Sequence, residues 1–349
     1  MSRYPVAVLG ATGAVGQRFV QLLDAHPWFE VVALTGSDRS IGQRYADACP
    51  WILAEPMPAW AQDLRLQPSE PNRIQVALAF SALPSKTARQ VEPEYARAGV
   101  VVCSNASAYR NEPDVPILLP EVNPTHLALV AEQREKRGWP GAIVTNSNCT
   151  STGLSVALKA LQDAFGLTRV MVVSLQALSG AGYPGVSSLD ILDNVLPYIA
   201  DEEAKVEFEP RKILGSLGNG SVKLADFTVS AQTNRVAVSE GHMVCASVEL
   251  GQAVEVEMAA EALRNYQSPE VCSELPSTPV PVIYLHDEPD RPQPRLDRDI
   301  GKGMSTVVGR LRPDPIFHLK MVILSHNTIR GAAGGSIYNA ELFVQQLGV

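Results

Sequence analysis

Residues 4–23 read YPVAVLGATGAVGQRFVQLL, and this stretch decides the class of fold. Val6 to Leu9 form a continuous apolar run, the pattern of a strand buried on both faces. Gly10, Gly13 and Gly16 follow at GxxGxxG spacing, and Val15, Phe19, Leu22 and Leu23 then fall on one face of a helix. Strand, glycine turn and helix in that order point backbone N–H groups at an anion, and glycine permits both the tight turn and the close approach of a pyrophosphate. The same glycines also suit a plain βα turn, so a dinucleotide site and simple turn chemistry both stand on this stretch alone.

Working outward, EVVALTGSDRS (30–40) is a second apolar strand that runs out into Ser37, Asp38, Arg39 and Ser40. An NAD site offers a carboxylate to the ribose 2′-hydroxyl here, whereas arginine among small hydroxyls suits a 2′-phosphate. The residues favour NADP, and Asp38 keeps NAD open. Further apolar strands lie at IQVALAFSALP (74–84), GVVVCSNAS (99–107) and GAIVTNSN (141–148), each ending in small polar residues where parallel strands open onto a ligand crevice. The expected fold is α/β: an N-terminal Rossmann-like, doubly wound parallel sheet over residues 1–148.

Its last strand leads into TNSNCTSTG (145–153) and then a helix, since Leu154, Leu158, Leu161 and Phe165 recur at helical period. Thr150 and Ser151 are suitable hydroxyls for the helix start. Cys149 therefore falls at the positive end of a helix dipole, which predicts a lowered thiol pKa and a nucleophilic thiolate. A buried structural cysteine is the alternative at this point.

From residue 149 to 329 the texture changes to strand-like alternation, as in RVMVVSLQALSGAG (169–182), SVKLADFTVSAQTNRVAVSEG (221–241), HMVCASVEL (242–250), MSTVVGRLR (304–312) and HLKMVILS (318–325). Helical patterns at 186–199 and 253–266 interrupt it, which predicts an α+β substrate and dimerisation domain with an antiparallel or mixed sheet. The Pro- and Asp-rich residues 268–298 read as a surface excursion, and residues 330–349 as a helix returning to the first domain. Among the six histidines, His242 follows a glycine in what reads as a hairpin loop between two strands, seven residues after Arg235, and His326 sits beside Asn327 at a strand end. Solvated or structural roles are the competing reading for His26, His126, His286 and His318.

Composition narrows the class. The chain has 349 residues, 46% hydrophobic content and net charge −8 without a basic run, which argues against nucleic acid and anionic membrane as partners. Five cysteines at 49, 103, 149, 245 and 272 show no metal-ligand spacing and read as reduced thiols of a cytoplasmic protein. The first strand follows Met1 within a few residues and no apolar run is long enough to span a bilayer, so no signal peptide or membrane segment is expected.

The combination resembles the aspartate-semialdehyde dehydrogenase family, in its archaeal and fungal branch, over nearly the whole length. The resemblance rests on GATGAVGQ (10–17), SNASAYR (104–110) with DVPILLPEVN (114–123), NSNCT (146–150), LQALSGAGYPG (175–185), TNRVAVSEGH (233–242) and NTIRGAAGGSIYNAEL (327–342). It implies Cys149 as nucleophile, His242 as proton carrier and Gln176 as the residue orienting the substrate. It implies Arg110 for phosphate, Arg235 for the substrate α-carboxylate, Asn148 at the same site, and a Glu-x-x-Lys pair read as Glu202 and Lys205, with Glu203, Glu207 and Glu209 close enough to compete. For NADP it implies Gly10, Thr12, Gly13, Ala14, Val15, Gly16, Ser37, Arg39, Ser40, Ser81, Ser179, Gly180 and Asn327. The implied reaction is NADPH-dependent conversion of 4-phospho-L-aspartate to L-aspartate 4-semialdehyde and phosphate without a metal, in the biosynthesis of lysine, threonine and methionine, by a homodimer or homotetramer. Rivals are malonyl-CoA reductase of the same branch, an NADP-sensing regulator with a dead site, and a cysteine hydrolase. The regulator would have lost Cys149, His242 or the arginines, and all are present.

Overall fold

The computed structural model describes residues 3–349. Strands β1 (Tyr4–Leu9), β2 (Phe29–Leu34), β3 (Leu78–Ser81), β4 (Val101–Ser104) and β5 (Ala142–Thr145) form a parallel sheet in the order β2-β1-β3-β4-β5. Alternate residues serve opposite cores. Val6, Val8, Leu78 and Phe80 pack with Phe19 of helix α1 (Ala14–Leu22), whereas Ala7, Leu9, Ala79 and Val102 pack with Ala88 and Tyr95 of α2 (Ser85–Arg97). This doubly wound arrangement places the ligand crevice over the carboxyl ends of β1 and β3, where the strand order reverses. Helix α3 (Leu129–Arg137) completes the layer and stops at Gly138, whose φ of 64° is left-handed.

Helix α4 (Cys149–Phe165) leads into the second sheet. Its strands are β6 (Leu167–Gln176), β9 (Thr228–Arg235), β10 (His242–Leu250), β11 (Ile283–Leu285), β12 (Thr306–Pro313) and β13 (Leu319–Ser325), in the order β11-β12-β13-β10-β6-β9. The remaining strands, β7 (Ser216–Gly218) and β8 (Ser221–Lys223), form a separate hairpin whose turn, Asn219-Gly220, has both φ values positive, as such turns require. It follows helix α5 (Glu202–Ile213). Leu154, Leu158 and Leu161 of α4 and Leu263 of α6 (Val256–Arg264) cover one face of the large sheet against Val170, Val172, Val244, Ala246, Val248, Met321 and Ile323. The opposite face stays open: Met171 is 44% exposed, and Cys245 is exposed beside it on the neighbouring strand.

Three expectations are corrected. Residues 186–199 hold only one short helix, Ser188–Ile191, because Leu189, Leu192, Val195 and Tyr198 find no apolar partner within the chain and a short helix without tertiary packing is marginal. Residues 268–298 are more than an excursion, since they supply β11 and bury Cys272, Leu275 and Val282. Strands β9 and β10 are not a hairpin, because β6 lies between them.

Helix α7 (Gly334–Leu347) lies against the first sheet, with Ile337, Tyr338, Leu342 and Phe343 in the same core as Phe19. A buried hydrogen bond and a buried ion pair fix this junction. His26 Nε2 meets Glu341 Oε1 at 3.0 Å, and Arg330 Nε donates to Glu121 at 2.9 Å. His26 and His126 are therefore buried structural groups and not solvated ones. No helix among the described residues is long and apolar enough to cross a membrane.

Candidate active site

The glycine turn after β1 closes on itself. Gly10 has φ +76°, and a Cβ on Gly16 would lie 2.7 Å from Ala11 Cα, so larger residues do not fit. Gly10 N–H donates to Thr35 Oγ1 at 3.0 Å, the Gln17 carboxamide to the Thr12 carbonyl at 3.0 Å, and the Tyr45 hydroxyl to the Ala11 carbonyl at 2.9 Å. Gly13 is the N-cap of α1 with no side-chain cap, leaving the N–H groups of Ala14, Val15 and Gly16 for an anion. Past β2, Ser37 and Arg39 are exposed, and the Ser40 hydroxyl donates to the Ser37 carbonyl at 2.9 Å. Ser81 is buried at the carboxyl end of β3. A rigid cradle of N–H groups with an exposed guanidinium one strand away fits a dinucleotide carrying a 2′-phosphate.

The thiol stands at the start of the helix that follows the last strand of this sheet. Cys149 is the first residue of α4, and the cap is Asn148, not Thr150 or Ser151: its Oδ1 accepts from the N–H groups of Thr150 (2.9 Å) and Ser151 (3.2 Å). The predicted depression of the thiol pKa is overturned. Burial, followed by the nearby Glu202 carboxylate, pushes the Cys149 thiol up to about 12 against the pull of Arg110 and Arg235. A helix N-terminus contributes only about 0.3–1 kcal/mol at an exposed site, too little to offset desolvation. Backbone crowds the nucleophile from behind: a Cβ on Gly331 would lie 2.8 Å from Cys149 Cβ. Gly331 belongs to a π-helical turn, Ile329–Ala333, of the kind that recurs at functional sites.

Strand register assembles the rest. Arg235 of β9 is level with Gln176 of β6, Met243 of β10 with Leu175, and His242 with Ser325 of β13. Arg235, Gln176 and His242 thus form one row across three adjacent strand ends, although Gln176 in its middle lies 59 residues before Arg235 and 66 before His242 in sequence. Gly180 packs on this row, where a Cβ would stand 2.7 Å from Arg235 Nη1 and 2.9 Å from His242 Nε2. His242 is 1% exposed, and its Nδ1 accepts the Ala177 N–H at 3.1 Å, so the ring proton resides on Nε2, which has no protein partner. Burial, with Arg235 and His326 adding to it, lowers its pKa to about 3 and keeps the imidazole neutral. Asn327 holds the turn before His242: its Oδ1 accepts from Gly241 N–H at 2.8 Å and its Nδ2 donates to Ser179 Oγ at 2.8 Å.

Helix α5 sorts the acidic candidates. Glu202 Oε1 accepts from Asn148 Nδ2 (2.8 Å) and Gln176 Nε2 (3.1 Å), and its Oε2 lies 3.5 Å from Lys205 Nζ. Glu203 and Glu207 point away and accept the N–H groups of Thr233 and Ala231, which edge strand β9 leaves unpaired. Sequence reasoning left Glu209 unassigned and missed Lys212, Arg18 and Glu240. Glu209 contacts Arg110, and the Arg18 guanidinium meets Glu240 at 2.7 Å across the crevice, two residues before His242. The spacing of Glu202, Lys205, Glu209 and Lys212, polar at positions where a buried face should be apolar, was the signal available.

A dinucleotide cradle facing a thiol, an imidazole N–H and buried guanidinium groups defines a thiol-dependent oxidoreductase of the acyl-enzyme type. Residues 5–130 match the family described as semialdehyde dehydrogenase, NAD binding domain, and residues 158–330 the semialdehyde dehydrogenase dimerisation domain. The chain belongs to the aspartate-semialdehyde dehydrogenase family, as its motifs suggested. It is 51% identical to the Archaeoglobus fulgidus aspartate-semialdehyde dehydrogenase, covering 99% of both chains, and 46% identical to that of Schizosaccharomyces pombe, covering 98% of both. The Candida albicans aspartate semialdehyde dehydrogenase, solved with NADP, superposes with a TM-score of 0.91 at 42% identity over 100% of both chains.

Proposed function

We propose that this chain is an NADP-dependent aspartate-semialdehyde dehydrogenase, converting 4-phospho-L-aspartate to L-aspartate 4-semialdehyde and phosphate for the synthesis of lysine, threonine and methionine. The row Arg235–Gln176–His242 carries the reading, because it sets a carboxylate anchor, an amide and an imidazole donor side by side, with Arg235 close enough to Cys149 to act on its thiol and Gln176 joined through Glu202 to Asn148 before it. Arg235 takes the α-carboxylate and Glu202 the ammonium group, while Arg110 and Lys205 take the phosphate. Asn148 and Gln176 converge on Glu202 and orient the substrate beside the thiol.

Cys149 sulfur attacks the acyl carbon and gives up its thiol proton to the phosphate, whose C–O bond breaks with its electron pair, and hydrogen phosphate departs toward Arg110, leaving a thioester. Gly10, Thr12, Gly13, Ala14, Val15, Gly16, Ser37, Arg39, Ser40, Ser81, Ser179, Gly180 and Asn327 would hold NADPH, which would supply the hydride needed to bring a thioester to the aldehyde level. His242 offers its Nε2–H as a hydrogen bond to the oxygen that becomes negative at each addition, and when the C–S bond breaks with its electron pair to the sulfur, Cys149 takes up a proton from water to return to the thiol. The imidazole works here as a neutral donor, since its Nδ1 already accepts a backbone N–H. Malonyl-CoA reduction is not favoured, because the full-length relatives bear the aspartate-semialdehyde name.

Residues 1–148, 149–329 and 330–349 act as cofactor domain, catalytic domain and returning helix of a cytoplasmic homodimer. The uncovered sheet face around Met171 and the family's dimerisation domain support the dimer, and five unpaired cysteines suit a reducing compartment. Purified protein given L-aspartate semialdehyde, phosphate and NADP should form NADPH only when all are present. Reduction of malonyl-CoA without any response to semialdehyde and phosphate would overturn the assignment.

A further inference from the structure

Glu202, Lys205, Glu209 and Lys212 occupy one face of α5, within roughly an 80° arc at 100° per residue. The first pair has a place in the proposed substrate site, and the second pair faces the loop that carries Arg110. Glu209 is 1% exposed. Its Oε1 accepts from Arg110 Nη1 at 3.1 Å, and its Oε2 accepts the backbone N–H of Asn148, immediately before Cys149, at 2.5 Å. Lys212 is 3% exposed, and its Nζ donates to the carbonyls of Arg110 (2.7 Å), Glu112 (2.7 Å) and Val115 (2.9 Å). The Arg110 Nη2 donates to the Asn105 carbonyl at 2.7 Å, while its Nε has no partner.

We propose that Glu209 is a positioning residue for the phosphate step, holding the phosphate-binding guanidinium of Arg110 and the nucleophile turn at Asn148 on one carboxylate. The proposal rests on the reading that Arg110 receives phosphate. A guanidinium that is 7% exposed needs a counter-charge or it turns to water, and Glu209 is the carboxylate in hydrogen-bond contact with it. Because both Glu209 oxygens already accept protein donors, the residue acts through Arg110 and Asn148 and not on the substrate. The clamp engages only the terminal nitrogens of Arg110, leaving Nε and spare N–H groups of the fork for an anion. Lys212 fixes the backbone from which Arg110 projects, so one helix sets the distance between the anion subsite and the thiol. The other titratable groups facing this cluster are Glu92, Glu112, Asp114, Glu202 and the Cys149 thiol.

The test uses the NADP-loaded full chain with inorganic phosphate as the probe, by calorimetry and by steady-state kinetics with semialdehyde. Glu209→Ala should raise both the Kd and the KM for phosphate at least about tenfold and lower kcat, with KM for semialdehyde and Kd for NADP within about threefold of wild type. Glu209→Gln keeps one acceptor oxygen and should fall between the two. Glu207→Gln, on the same helix but bonded to β9, should change neither phosphate value. A general loss of structure would move all these constants together, and a phosphate-specific change would not arise from it. Unchanged phosphate binding in Glu209→Ala, or in Glu209→Gln where the alanine variant does not fold, overturns the proposal, as does a wild type that binds no phosphate. A wild type that binds phosphate but forms no NADPH refutes the assigned reaction and leaves calorimetry to decide the role of Glu209.

Discussion

Alanine at Gly331 is a small change with a calculable effect on the nucleophile. Its Cβ would stand 2.8 Å from Cys149 Cβ and 2.9 Å from Cys149 Cα, where ordinary contact begins at 3.4 Å. Both atoms are fixed to the α4 backbone, so no side-chain rotation relieves the overlap. The other side is equally constrained: Gly331 N–H donates to the His326 carbonyl at 3.0 Å, the Ala332 carbonyl accepts from Asn146 at 3.0 Å, and the preceding Arg330 is locked to Glu121. The two elements must therefore separate by about 0.5 Å, with overpacking strain of about 1–3 kcal/mol. A misplacement of about 1 Å costs on the order of a hundredfold in rate, so half of that corresponds to about tenfold, or about 1.4 kcal/mol in the barrier. The assay is NADPH formation from semialdehyde, phosphate and NADP, beside Kd for NADP and a melting curve. A folded Gly331→Ala protein with lowered Tm, unchanged NADP affinity and kcat reduced about tenfold is expected. Full kcat with an unchanged rate of Cys149 alkylation would refute the argument that this contact sets the thiol's position.

Further consequences are open to direct measurement. Arg39→Ala should weaken NADP about tenfold, about 1.4 kcal/mol, and leave NAD nearly untouched, because only the 2′-phosphate loses its partner; equal losses for both would show that Arg39 does not read that group. The Cys149 thiol is held at about 12, above an unfolded value near 8.5, so in ligand-free protein its alkylation by iodoacetamide should keep rising about tenfold per pH unit through pH 9. A plateau near neutral pH would show a preformed thiolate. His242, lowered to about 3, stays neutral from pH 5 to 8, so kcat/KM should show no histidine limb in that window, and His242→Gln, which keeps an N–H donor, should retain more activity than His242→Ala. A limb near pH 6.5 abolished in His242→Ala would reinstate the imidazole as a titrating acid or base.

Local chemistry made much of this protein legible from residue order. Gly10, Gly13 and Gly16 after an apolar strand can close only one kind of turn, and the apolar runs ending at Ser81, Ser104 and Thr145 are strands covered on both faces. The stripe after Cys149 is a helix for the same reason, since turn geometry and side-chain period depend on neighbours a few residues apart. Motifs around Cys149, Gln176, Arg235 and His242 were recognisable as words, but nothing in their order says that three strands bring the last three into a row with β6 in the middle. The ionisation states followed from tertiary structure alone. The helix start promised a lowered thiol pKa, and burial beside Glu202 raised it; the resemblance implied His242 as a proton carrier, and the Ala177 N–H assigned its tautomer. Which glutamate of residues 202–209 faces Asn148, which faces Arg110 and which two seal the edge of β9 was decided by packing, because charge–charge energies depend on distance and desolvation across the 99 residues between Arg110 and Glu209, and sequence spacing fixes neither.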